Sequence, residues 1–175
     1  MDTWLVKARQ EIDDATAGMT GEDWRRAPEG KWTAAHILEH LLLTFSGTAK
    51  LLEKRLAAET PEAVRARTLK ELVLQTALFL RQEIPEGRTA PESVRPVGIE
   101  GEEALRRIRE YLGTMGTRID EAEKRWGSSA TIAVHPILGP LTAERWRKFH
   151  FIHTRHHMRQ VRERRQGAQV KAAGK

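Results

Sequence analysis

The chain has 175 residues, no cysteine and a formal net charge of +6. That length suits one domain with a real core, and the missing thiols exclude disulfides and thiolate ligands from this chain. No apolar run reaches about 18 residues, and the first dozen residues, with Asp2, Lys7, Arg9 and Glu11, lack the apolar middle of a secretory signal. A cytoplasmic location without membrane contact is expected.

Helical periodicity dominates from the start. Trp4 or Leu5, Ala8, Ile12, Ala15 and Met19 recur at three- and four-residue steps, which predicts a helix over about 2–18. Residues 20–31, with Pro28 and Gly30, read as a loop. Thr33 suits the N-cap of a second helix, whose stripe is Ala34, Leu38, Leu41, Phe45, Leu52 and Leu56, ending near Ala58. Thr60-Pro61-Glu62 reads as a fresh helix start, since proline suits the first helical position. Leu69, Leu72, Val73, Ala77, Leu78 and Leu80 support a further helical segment.

Pro85, Gly87, Pro91, Pro96 and Gly98 make residues 84–98 a long extended crossover. A strict stripe follows through Leu105, Ile108, Leu112, Met115, Ile119, Ala122 and Trp126. Residues 127–141, containing His135-Pro136 and Gly139-Pro140, read as another loop, and Thr142 caps a last helix over about 143–165. No strand alternation of useful length appears. The expectation is an all-α fold: a four-helix bundle with long crossover connections, forming a single domain over 1–166, with a disordered tail at 167–175.

Much of the positive excess lies near the C-terminus, at Arg155, Arg159, Arg162, Arg164, Arg165, Lys171 and Lys175. Clustered positive charge attracts phosphate. No aromatics interleave with these arginines, so a base-stacking platform is not suggested and a solvated helix face is the simpler reading.

Seven histidines stand at 36, 40, 135, 150, 153, 156 and 157. With Trp146 set at zero and about 100° per residue, His150 falls at about 40°, His153 at about −20°, His157 at about 20° and Gln160 at about −40°. Three imidazoles therefore share the inward face of the last helix, while His156 lies on its flank. An i, i+4 pair stacks two imidazoles on one face, where both can reach one ion. His40, at the edge of the second helix's buried stripe, is the candidate third ligand. Hydrogen-bonded core histidines are the competing explanation, and spacing alone leaves both open. His36 can be a fourth ligand or a supporting group, His150 can line the pocket, and His135 can approach its open side. The chain has no HExxH, no Glu-x-x-His, no GxxxxGK[ST], no GxGxxG and no GxSxG.

The segment Trp32-Thr33-Ala34-Ala35-His36-Ile37-Leu38-Glu39-His40-Leu41 resembles the second helix of the DinB/YfiT-like superfamily. The run from His153 to Gln160 is similar to that family's last-helix HxxxHxxQ motif, and His135-Pro136-Ile137-Leu138-Gly139-Pro140-Leu141-Thr142 with Trp146 resembles one uncharacterised branch of it. The resemblance covers about residues 2–165. It implies a four-helix bundle, often homodimeric, with one divalent ion, nickel or zinc, on His40, His153 and His157. Some relatives are S-transferases or isomerases that use small thiols such as bacillithiol or mycothiol. The resemblance thus points to a metal-dependent transferase acting on a small molecule; on that hypothesis Gln160, His150 or His135 are the candidates for orienting substrate. A metal hydrolase and a non-catalytic, stress-related metal-binding protein are the alternatives, and the family name gives no warrant for nucleic-acid binding.

Overall fold

The computed structural model describes residues 2–58, 65–85 and 89–173, with side chains to Arg165. Its elements are α1 (Thr3–Thr16), α2 (Gly21–Arg25), α3 (Ala34–Ala57), α4 (Leu69–Arg81), a 3₁₀ turn (Glu92–Val94), α5 (Gly101–Trp126), β1 (Thr131–His135), β2 (Gly139–Thr142) and α6 (Ala143–Ala173). Among the described residues the fold is all-α apart from that one small hairpin. α3 packs along α5 and α1 along α6, and α6 also meets α3 and α5. Leu5, Ile12, Phe45, Leu52, Ile108, Met115, Ile119, Trp146 and Val161 belong to one shared core. Each fully buried large side chain contributes about 1.5–3 kcal/mol relative to exposure.

Local chemistry sets the helix starts. Asp2 accepts the Trp4 N–H at 2.8 Å, and Thr33 accepts the His36 N–H at 3.1 Å, so the predicted cap at Thr33 is present. Of the two candidates at the head of α1, Leu5 is the fully buried one. α6 runs past the end expected near residue 165.

Three expectations change. The stretch read as a loop over 20–31 contains α2, because Thr20 and Asp23 form a reciprocal capping box. The stretch read as a loop over 127–141 contains the antiparallel β1–β2 hairpin, with Val134 opposite Pro140 and His135 opposite Gly139. Strands of five and four residues are too short for alternation to register. The start expected at Thr60–Glu62 lies outside the described residues. α4 begins at the Thr68–Glu71 capping box and turns Glu71, Gln75 and Leu78 inward, while Leu69, Leu72, Val73 and Leu80 face solvent.

That inversion has a cause in the hairpin. The Gln75 amide donates to the carbonyls of Leu138 (2.7 Å) and Pro140 (3.1 Å), and the Glu71 carboxylate fills the space where a side chain on Gly139 would project. α4 therefore packs polar groups on the hairpin backbone and fixes the hairpin that carries His135.

Four of the C-terminal arginines are tertiary tethers. Arg162 pairs with Glu11 at 2.8 Å, Arg165 donates to the Ala15 carbonyl at 3.0 Å, Arg164 to that of Trp32 at 3.2 Å, and Arg155 to that of Gln82. Arg147, almost fully buried, reaches Asp120 (2.6 Å) and Glu123 (2.7 Å) on α5. These contacts lock the rotation of α6, and that rotation decides where its histidines point.

Candidate metal centre

The angular positions on α6 translate directly into burial. Trp146, Phe149 and Val161 are core residues, and His150, His153 and His157 are buried on the same face, whereas His156 is only partly buried. On α3, Leu38, Leu41 and Phe45 face the core and carry His40 inward with them.

Three imidazoles meet at one point. Nε2 of His153 lies 3.2 Å from Nε2 of His40 and 3.0 Å from Nε2 of His157. The ligand nitrogens of all three residues fall within 4.8 Å of one another. The rings stand at 68° to 80° to each other, so each presents an edge to the common centre.

The tautomers follow from the outer nitrogens. Nδ1 of His40 lies 2.8 Å from the Val94 carbonyl, an acceptor only, so His40 carries its proton on Nδ1. Nδ1 of His157 lies 2.9 Å from Oε1 of Gln160, whose amide nitrogen faces Nε2 of His156 at 3.2 Å. Gln160 thus holds the His157 proton on Nδ1. Both Nε2 atoms are left as bare lone pairs aimed at His153. His153 lacks such a partner: its Nδ1 is buried with none among the described residues, and its ring stacks on Phe149 at 5.4 Å.

Electrostatics keep the cluster neutral. Burial, and then the neighbouring imidazoles, lower His153 well below the ordinary histidine range. Burial and the adjacent His40 push His157 down to about 3, and burial lowers His40 despite its bond to Val94. Neutral imidazoles with inward lone pairs are the form that binds a cation. Metal–nitrogen bonds of about 2.0–2.1 Å in tetrahedral arrangement place ligand nitrogens roughly 3.3 Å apart, close to the two separations here. The residues present fit a divalent ion.

The other predicted residues divide. Gln160 supports the site directly. His36 is not among the three that converge; its backbone N–H serves the α3 cap. His150 is fully buried between Trp146 (5.7 Å, stacked) and Phe45 (5.4 Å), with both ring nitrogens unpartnered among the described residues. Burial pushes it down to about 3.

His135 contacts the same Phe149 ring as His153, edge to face at 4.5 Å. Its Nδ1 accepts the backbone N–H groups of Ile137 and Leu138, both at 3.1 Å. The proton is thereby fixed on Nε2, and burial holds the ring neutral, down to about 4. In that tautomer Nε2 is a donor, which makes His135 unsuitable as an Nε2 ligand and suitable for binding an acceptor oxygen.

Sequence reasoning missed Glu39. Its carboxylate is 2% exposed and accepts the backbone N–H groups of Val97 (3.0 Å), Gly98 (2.8 Å) and Ile99 (3.1 Å) in the crossover. Those partners lie 58 to 60 residues away in sequence, so no local spacing announces them. The one available signal is an acidic residue inside an otherwise apolar stripe.

A helical core that converges three neutral imidazoles from two helices defines a histidine-centred, all-α protein. The model of the DinB superfamily matches residues 5–161, and the chain belongs to that superfamily. No curated protein and no solved structure matches it.

Proposed function

We propose that the chain is a divalent-metal-dependent enzyme that holds one nickel or zinc ion on His40, His153 and His157 and transfers a small thiol to an electrophile. The observation that carries this reading is the donor set: three inward nitrogens, with no fourth carboxylate or imidazole joining them among the described residues. Three protein ligands leave a position for an exchangeable group, as catalytic sites require. A divalent ion there makes a thiol or water that reaches it more acidic, and so nucleophilic at neutral pH.

The chain's own residues would do the remainder. Val94 and Gln160 hold two imidazoles in the binding tautomer. Phe149, which contacts both His153 and His135, would supply an apolar surface beside the site, and the Nε2–H of His135 would donate to an acceptor oxygen of the substrate. The thiol sulfur would form a bond to the electrophilic carbon as the leaving group departs with the electron pair. A single domain over 1–166, a homodimer and a cytoplasmic location belong to the same proposal. No helix among the described residues is long and apolar enough to cross a membrane.

A second reading has a specific observation in its favour. The three imidazoles are only 4%, 9% and 8% exposed, as suits an ion that braces the bundle without turnover. A hydrolase, with water in place of the thiol, is the neighbouring enzymatic option.

Elemental analysis of purified protein, followed by a thiol-transfer screen, separates these readings. Stoichiometric nickel or zinc, lost in His153→Ala and His157→Ala with the helical circular dichroism retained, is the expected result. Near-full occupancy in both variants would eliminate the triad. A fully loaded protein that consumes neither thiols nor hydrolysable esters would favour the brace.

A further inference from the structure

We infer that Glu39 is a positioning residue for the triad, acting through the crossover, and that crossover docking and metal binding strengthen each other. The inference rests on the metal reading above. Glu39 and His40 are consecutive on α3, yet both grip the same short segment. Glu39 takes three successive amides, Val97, Gly98 and Ile99, while the Nδ1–H of His40 donates to Val94. Residues 95–100 have no helix or strand ladder of their own. Val97 is 89% exposed and Ile99 is only partly buried against the core, so the Glu39 and His40 hydrogen bonds carry much of the docking.

A buried carboxylate is costly unless hydrogen bonds satisfy it, and three converging amides do so. The convergence needs the backbone of Gly98, whose φ of +105° is a conformation side chains resist. With the strap docked, the Val94 carbonyl selects the His40 tautomer whose Nε2 lone pair faces His153 and His157. With the strap released, that selection is lost and the ring is free to turn. By linkage, whatever tightens metal binding through the strap must itself be tightened by the metal. A plain structural brace has no such reciprocity.

The test uses the full-length protein, with zinc as the probe, and two variants. Glu39→Gln alters the grip directly. Gly98→Ala leaves Glu39 and every histidine unsubstituted, and its added methyl meets open space, so it acts only through the backbone whose N–H donates to Glu39. Affinity is read by competition with a chromophoric chelator, and amide hydrogen exchange is followed at Val97, Gly98 and Ile99. Zinc should slow exchange at these amides in the wild-type chain. Both variants should bind zinc about 10- to 100-fold more weakly, the usual loss when a ligand's supporting contact is removed. Both should also lose the zinc-induced slowing. Wild-type affinity in either folded variant, or zinc that binds stoichiometrically without slowing those amides, would overturn the inference and leave the metal reading intact. A wild-type chain that binds no zinc or nickel would overturn both.

Discussion

Acid should destabilise the metal-free protein well above the carboxylate range. His135 is held at about 4, and His150 and His157 at about 3, in each case chiefly by burial. The same side chains in an unfolded chain titrate near 6.5. Their folded pKa values are depressed, so stability is fully present above about pH 6.5 and is lost as pH falls from there towards about 3. At pH 5 the unfolded state gains about 2 kcal/mol for each such histidine, hence about 6 kcal/mol for the three. His40 and His153, also lowered, add to this. A domain is typically stable by only about 5–15 kcal/mol, so a loss of this size takes a large part of the total. Urea unfolding of chelator-treated protein at about pH 7 and about pH 5, followed by tryptophan fluorescence, measures the difference. Equal stability at the two values would refute the burial of these rings as neutral groups. Saturating zinc should move the transition to lower pH, since ligand at about 100 times its Kd adds about 2.7 kcal/mol.

Gln160→Leu removes the acceptor 2.9 Å from Nδ1 of His157 and should weaken zinc binding about 10- to 100-fold at unchanged helicity, as read by calorimetry. Phe45→Ala empties a fully buried site against His150 and should cost about 3–5 kcal/mol in urea unfolding; a loss under about 1 kcal/mol would contradict its place in the core. Gly139→Ala puts a methyl within 2.3–2.6 Å of the Glu71 carboxylate at a φ of +75°. The strain alone is worth about 1–3 kcal/mol, and a lowered Tm should report it.

The α6 half of the triad was legible in the sequence because a helix converts spacing into direction, although spacing alone left a ligand pair and hydrogen-bonded core histidines both open, and His40 on α3 gained weight from the family resemblance. Trp146, Phe149 and Val161 mark the buried face of α6, and His153 and His157 fall within that arc. Thr33 likewise announces α3, and the stripe from Leu105 to Trp126 announces α5. What failed to show shares one property: its cause lies far away in the chain. α4 turns Glu71 and Gln75 inward because the carbonyls of Leu138 and Pro140 and the bare backbone of Gly139 are there to receive them. Glu39 looks like a misplaced surface residue until residues 97–99 fold over it. The tautomer of His135 depends on a hairpin too short to leave a period.

The same α6 face shows why this part of the fold is built for something besides stability. Among the described residues, eight buried side-chain nitrogen or oxygen atoms have no hydrogen-bond partner, and six of them lie between Trp146 and Thr154. Both nitrogens of His150, Nδ1 of His153 and the hydroxyl of Thr154 are in that group. Each such atom costs of order 1–3 kcal/mol in an apolar setting. Leucines on this face would remove the penalty and keep the packing. The surrounding structure instead compensates, with Arg147 bonded to two carboxylates on α5 and Arg162 and Arg165 fastened to α1. Concentrated local cost, held in place by strong contacts around it, is the arrangement expected where imidazoles are kept for binding rather than for the core.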